Sequence, residues 1–274
     1  MTVRERADLV GARRVVVKVG SSSISGENAH KIQPIVEALA AAHARGTEVV
    51  LVSSGAIATG MPYLALDERP SDLATQQAAA AVGQNVLIYR YQESLRPFAI
   101  VAGQVLLTAG DLENPTHRSN ARRAMERLLG LRILPIVNEN DTVATHEIRF
   151  GDNDRLAALV AQLIGADALV LLSDIASLYT RPPSEPGAEP IDRVAHDDDL
   201  SGFEFGSVVV NSVGTGGAAT KASAARLASA AGIGVLVTSA DLVAEALEGA
   251  AVGTWFAPNP DAPPPVGTTP VRTA

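Results

Sequence analysis

Apolar and polar positions fall into alternating blocks whose periods separate strands from helices. The β-branched run Val15, Val16, Val17, Lys18 and Val19 has the composition of a strand and leads into Gly20, Ser21, Ser22 and Ser23, a small-residue loop. Residues 31–44 are alanine-rich and apolar on one face, which predicts a helix, and Gly46 stops it before a strand at 48–52. That β-α-β unit makes the first two strands parallel. The second strand ends in Ser53, Ser54 and Gly55 before another helix start, and Ser53 taken alone reads as a plain helix cap. A long helix is predicted at 73–95 and a third strand at 99–107. Turn chemistry at Asn114 and Pro115 then opens a basic helix carrying Arg118, Arg122, Arg123 and Arg127, a charge run that reads as a solvated face or a subunit contact. Strands at 133–137 and 168–172 flank a helix with the sequence LAALVAQLIG. Strands at 208–213 and 235–238 and helices at 222–231 and 242–247 complete the order.

Strands and helices alternate without an internal repeat, the pattern of an α/β protein with three αβα layers and a mostly parallel central sheet. No linker divides the chain, so residues 1–257 are expected to form one domain. The proline-rich segment 258–274 is expected to be a disordered tail.

Composition narrows the function. Of 274 residues, 47% are hydrophobic and 19% charged, as in a well-packed globular protein. The absence of cysteine excludes disulfides and thiolate metal sites and fits a cytoplasmic location. The mixed-charge start MTVRERADLVGARR is neither a secretory signal nor an anchor, and no apolar run is long enough to span a membrane. A net charge of -8 argues against nonspecific nucleic-acid binding, so an anionic ligand must be met by local cations.

Such cations and polar clusters stand at the predicted strand ends. Asn138, Glu139, Asn140 and Asp141 follow one strand, and Gly151, Asp152, Asn153 and Asp154 precede a helix. Capping a helix takes one Asx residue, so two runs of them point to a ligand at the carboxyl edge of the sheet. Lys18 is either an edge-strand lysine or a phosphate-binding one, and a central position would oblige it to have a partner. The segment 214–221, GTGGAATK, matches the relaxed G-x-G-x-x-A dinucleotide pattern, with Asp241 at the spacing of a ribose-binding acid. It opens the last β-α-β unit, however, with no room for the rest of a dinucleotide fold, and it departs from the Walker pattern at Ala219, Thr220, Lys221 and Ala222. A glycine nest followed by a lysine remains, which suits phosphates. Two lysines, two glycine loops and spare carboxylates point to phosphoryl transfer, and an anionic acceptor needs no histidine base.

The motifs VVVKVGSSS, VLVSSGAIATG, AVGQ at 81–84, PIVNENDTVAT, FGDND, LLSDIASLYT and VGTGGAATK, in this order over residues 14–257, resemble the amino acid kinase family and especially its glutamate-phosphorylating branch. The resemblance implies transfer of the ATP γ-phosphate to the γ-carboxylate of L-glutamate, the first step of proline biosynthesis. It implies that Lys18 and Lys221 clasp the phosphates while Asp154 holds the two ammonium groups in register. Ser54, Asp141 and Asn153 would hold glutamate, with Asn138 beside them. Lys18, Ser173, Asp174, Thr215, Gly216, Gly217, Ala218, Ala219, Thr220 and Lys221 would hold ATP. Mg2+ would be carried by ATP oxygens and water rather than by a protein metal site. The implied partners are glutamate and ATP, further copies of the chain in a dimer or tetramer, and glutamyl phosphate reductase, with no nucleic acid and no membrane. The pattern departs from the family at Ser177, usually glycine, and at Ala176, often lysine. Many members also continue into a PUA domain, in place of which this chain has its proline-rich tail. The alternatives are an acetylglutamate kinase-like member and a nucleotide-binding sensor without catalysis.

Overall fold

The computed structural model describes residues 3–144, 153–198, 200 and 217–263. In chain order these form β1 (Arg14–Lys18), α1 (Ile32–Ala44), β2 (Glu48–Val52), α2 (Ala56–Gly60), α3 (Leu73–Leu95), β3 (Ala102–Leu107), α4 (Ala109–Glu113) and α5 (Pro115–Gly130). There follow β4 (Leu134–Glu139), α6 (Asn153–Ile164), β5 (Ala168–Ser173), β6 (Arg193–Val194), α7 (Ala218–Ala230), β7 (Gly234–Ser239), α8 (Val243–Leu247) and β8 (Thr254–Phe256). The strands make one sheet in the order β3-β4-β2-β1-β5-β7-β8-β6, parallel except for the β7–β8 pair.

The central strands are apolar along most of their length, with charged and amide residues at their ends, because helices cover both faces of the sheet. Val15 and Val17 pack with Leu39, Leu51, Tyr91 and Val170 on one face, under α1 and α3. Val16 packs with Val50, Met125, Leu156, Leu169 and Ala225 on the other, under α5, α6 and α7. Each such buried valine is worth roughly 1.5–3 kcal/mol. The expected three-layer αβα sandwich is therefore the observed one. Among the described residues no helix is long and apolar enough to cross a membrane.

Connectivity decides where a ligand can go. From β1 the chain moves to β2, β4 and β3 on one side, whereas β5 returns to pair with the other side of β1. Such a reversal opens a crevice at the carboxyl ends of the strands, and Lys18 is the last residue of the strand at the reversal.

Several element bounds differ from expectation. β4 takes in Asn138 and Glu139, because the backbone ladder with Leu106 and Leu107 continues regardless of side-chain polarity. Helix α7 begins at Ala218, four residues before its expected start, because Gly217 caps it and the Thr220 hydroxyl accepts from the Gly217 N–H at 3.0 Å. Strands β6 and β8 escaped the sequence pattern because they are only two and three residues long. Past residue 257 the chain is still hydrogen-bonded, the Asn259 N–H donating to the Ser229 carbonyl at 2.8 Å. The expected strand at 208–213 and residues 264–274 of the expected tail lie outside the described residues.

Helices α2 and α3 meet backbone to backbone. A Cβ on Gly60 would lie 1.9 Å from the Ala79 carbonyl oxygen and one on Gly83 1.8 Å from that of Ala56, so neither position tolerates a side chain. This contact fixes the residue after Gly83, Gln84, against the end of β4.

Candidate active site

Three charged side chains converge at the switch point, one from each of three elements. Lys18 ends β1, Asp154 is the second residue of α6, and Lys221 is the fourth of α7. The Asp154 Oδ1 lies 2.5 Å from the Lys18 Nζ, and its Oδ2 is 3.1 Å from the Lys221 Nζ. Their fractional exposures are 0% for Asp154, 3% for Lys18 and 6% for Lys221, so water hardly solvates them and the mutual pairing offsets much of the cost of burial. Burial pushes the Asp154 carboxyl up, but the two facing lysines outweigh it and hold the group below the ordinary carboxylate value. One carboxylate against two ammonium groups leaves these three with a surplus positive charge. The N-termini of α6 and α7, whose positive dipole ends also favour an anion, open at the same place.

Beside this centre lies a chain of neutral amides. The Asn153 Nδ2 has two hydrogens and three acceptors: the Ser53 carbonyl at 2.7 Å, the Asn138 Oδ1 at 2.7 Å and the Ser54 Oγ at 3.1 Å. The Asn138 Nδ2 donates in turn to the Gln84 Oε1 at 2.6 Å. Asn138, Asn153 and Ser54, taken from three separate motifs, are thus brought together. Ser53 is not the expected helix cap, since Gly55 caps α2 at φ 90°. The Ser53 hydroxyl instead meets the Tyr91 hydroxyl at 3.0 Å, both fully buried, and burial pushes the Tyr91 phenol up so that it stays protonated.

Asp141 sits in the turn after β4, held by the Asn140 N–H donating to the Leu107 carbonyl at 2.9 Å. It lines a cleft of 260 Å³ together with Gln84, Glu139 and Asn140. Gln84 was not among the expected site residues although AVGQ contains it, and Glu139 was expected only as a member of the NEND cluster. The available signal was a glutamine directly after a glycine on the buried face of a helix.

A model of the amino acid kinase family matches residues 13–239. This chain belongs to the amino acid kinase family. It is 73% identical over 259 residues to the glutamate 5-kinase of Clavibacter sepedonicus, an alignment covering 94% of this chain and 100% of that protein. It is 72% identical to that of Leifsonia xyli subsp. xyli, covering 94% and 96%. With the glutamate 5-kinase of Salinispora arenicola it shares 54% identity over 94% of this chain and 71% of that protein. Among solved structures, a carbamate kinase from Giardia lamblia bound to AMP-PNP matches 91% of this chain and 100% of that one with a TM-score of 0.67 and 15% identity, a likeness of fold.

For an amino acid kinase the remaining question is where ATP would lie. Ser173 ends β5, and its hydroxyl donates to the Asp174 carboxylate at 3.0 Å, at the strand exit beside that of β1. Thr215 and Gly216 lie outside the described residues. Ala218, Ala219, Thr220 and Lys221 form the first turn of α7 rather than a loop; the N–H groups of the first three lie at the helix N-terminus, while that of Lys221 donates to the Gly217 carbonyl at 3.2 Å. Asp241, the ribose-binding acid of the dinucleotide alternative, is instead ion-paired to Lys31 at 2.9 Å.

Proposed function

We propose that this chain has glutamate 5-kinase activity, transferring the γ-phosphoryl group of ATP to the γ-carboxylate of L-glutamate to give L-glutamyl 5-phosphate and ADP. The observation that carries this reading is the Lys18–Asp154–Lys221 centre, two buried cations fixed by one carboxylate at the switch point. The names of its relatives point to the same acceptor. A carboxylate attacking a triphosphate is repelled unless cations lie between them. Lys18 and Lys221 supply that charge, and Asp154 holds both nitrogens without a reorganisation step. Ser54, Asn138, Asn153 and Asp141 hold glutamate, and the Ser54 contact is the longest of the three made by Asn153 and the one a ligand displaces most easily. Ser173, Asp174 and residues 215–221, with Lys18, hold the nucleotide. Asp154 is consumed by the lysines, so Mg2+ fits as an ion carried by ATP oxygens and water, where it neutralises phosphate charge.

The acyl phosphate product hydrolyses readily in water. Prompt consumption by glutamyl phosphate reductase in the cytoplasm, beside a homo-oligomeric kinase, completes the reading. A coupled ADP-release assay with L-glutamate, N-acetylglutamate and carbamate tests it. Turnover with glutamate is expected, and turnover with N-acetylglutamate alone would move the chain to the acetylglutamate branch. Single-turnover phosphoryl transfer separates an enzyme from a nucleotide sensor.

A further inference from the structure

We infer that Gln84 is a specificity-determining residue that reads the α-carboxylate of the amino acid acceptor, an inference that rests on the glutamate kinase reading above. The orientation of the Gln84 side chain starts from a backbone N–H. That of Glu139 can only donate, and it donates at 2.9 Å to the Asn138 side chain, which must therefore present its Oδ1 there. Asn153 donates to the same oxygen at 2.7 Å. The Asn138 nitrogen is thereby turned toward Gln84, and Gln84 must answer with its Oε1, 2.6 Å away. The orientation of the Gln84 carboxamide is thus set by a chain of obligatory donors, and its Nε2 faces away from Asn138. Among the described residues that nitrogen has no hydrogen-bond partner, and Gln84 lines the cleft.

Gln84 cannot retreat, because Gly83 holds α3 against α2 without room for a single added carbon. Glu139 and Asp141 line the same cleft. Carboxylates beside a two-hydrogen donor match the zwitterionic head of an α-amino acid, the acids taking the ammonium group and Gln84 the carboxylate. The side chain of the acceptor then extends past Asn138 and Asn153 toward Asp154 and the lysines. A site built to hydrogen-bond one group rejects an analogue that lacks it.

The test is calorimetric titration of the full chain, with a non-hydrolysable ATP analogue present, using L-glutamate and its α-amide, which keeps the ammonium group and the γ-carboxylate. The unmodified protein is expected to favour glutamate. Gln84→Glu keeps an acceptor for Asn138 but turns a carboxylate on the substrate, so the glutamate-to-amide affinity ratio should fall by about 10²-fold or more and can invert. Gln84→Met removes the donor without adding charge. It should weaken the preference without inverting it, and it carries the test if Gln84→Glu does not fold. Affinity for the ATP analogue should be unchanged, which general loosening of the site would not permit. An unaltered ratio in the folded variants, with glutamate still bound, overturns the assignment of Gln84. Failure of the unmodified protein to bind or phosphorylate glutamate overturns the kinase reading instead.

Discussion

Asn153 and Asp154 are consecutive in the chain, yet they open two regions governed by different physics. Asp154 enters a charged centre with essentially no solvent, where two lysines face one carboxylate. Asn153 enters a neutral network in which every bond is set by which atom can donate and which can accept. The first region concentrates charge, which is long-ranged, strong at low dielectric and indifferent to the shape of the group it stabilises. The second has little charge but fixed orientation, which distinguishes one acceptor from another. On the proposed function, chemistry and recognition fall to adjacent residues through different forces, and they should fail differently when disturbed.

The largest effect is expected for Asp154→Ala. It removes the carboxylate that the two buried ammonium groups share, and urea unfolding should show a loss of roughly 3–5 kcal/mol together with loss of phosphoryl transfer. Wild-type stability in that variant would mean that the pairing is not what makes burial of the lysines tolerable. Lys221→Ala should keep the fold and lower kcat by about 10²-fold or more in ADP release, because it removes charge stabilisation of the transition state. On the network side, Gly83→Ala should lower stability by about 1–3 kcal/mol, since its Cβ would fall 1.8 Å from the Ala56 carbonyl oxygen and force α2 and α3 apart. The same variant should raise KM for glutamate more than KM for ATP. Asp141→Ala should act almost wholly on KM for glutamate, by about 10-fold, as expected for a group that holds ground state and transition state alike. Normal glutamate affinity in that variant would remove Asp141 from the pocket.

The subtlest contrast is with pH. The Asp154 carboxyl is held below its ordinary value in the folded protein, so its contribution to stability is fully present above the unfolded pKa, about 3.9, and is lost as pH falls through the lower folded value. The stability difference between the wild type and Asp154→Asn should therefore be flat from about pH 8 to about pH 5 and close below about pH 4. Closure near neutral pH would place another group in control.

Much of the fold could be read from the order of apolar blocks. The strand Glu48–Val52 and the helix Leu73–Leu95 have the bounds their periodicity predicts, because in both the pattern ends at a polar or small residue. The failures have physical causes. Asn138 and Glu139 look like loop and belong to β4, since ladder hydrogen bonds depend on the backbone alone. Ser53 resembles a cap because serine after a strand usually is one, whereas here Tyr91, from a helix 38 residues on, claims the hydroxyl.

The chain by itself determined which chemistries were available: alternation enough for a layered α/β fold, no thiol, an acidic surface, two lysines beside glycines, and amides gathered at strand ends. Only tertiary structure decided which of them meet. The reversal at β1 brings Lys18, Asp154 and Lys221 within hydrogen-bonding distance although 136 and 67 residues separate them in turn, and the contact of Gly60 and Gly83 sets Gln84 against Asn138. Hydrophobic patterning is local and additive, so it can be read in one dimension. The pairing of buried ions and the direction of an amide depend on neighbours supplied by other elements, and those neighbours exist only once the sheet has formed.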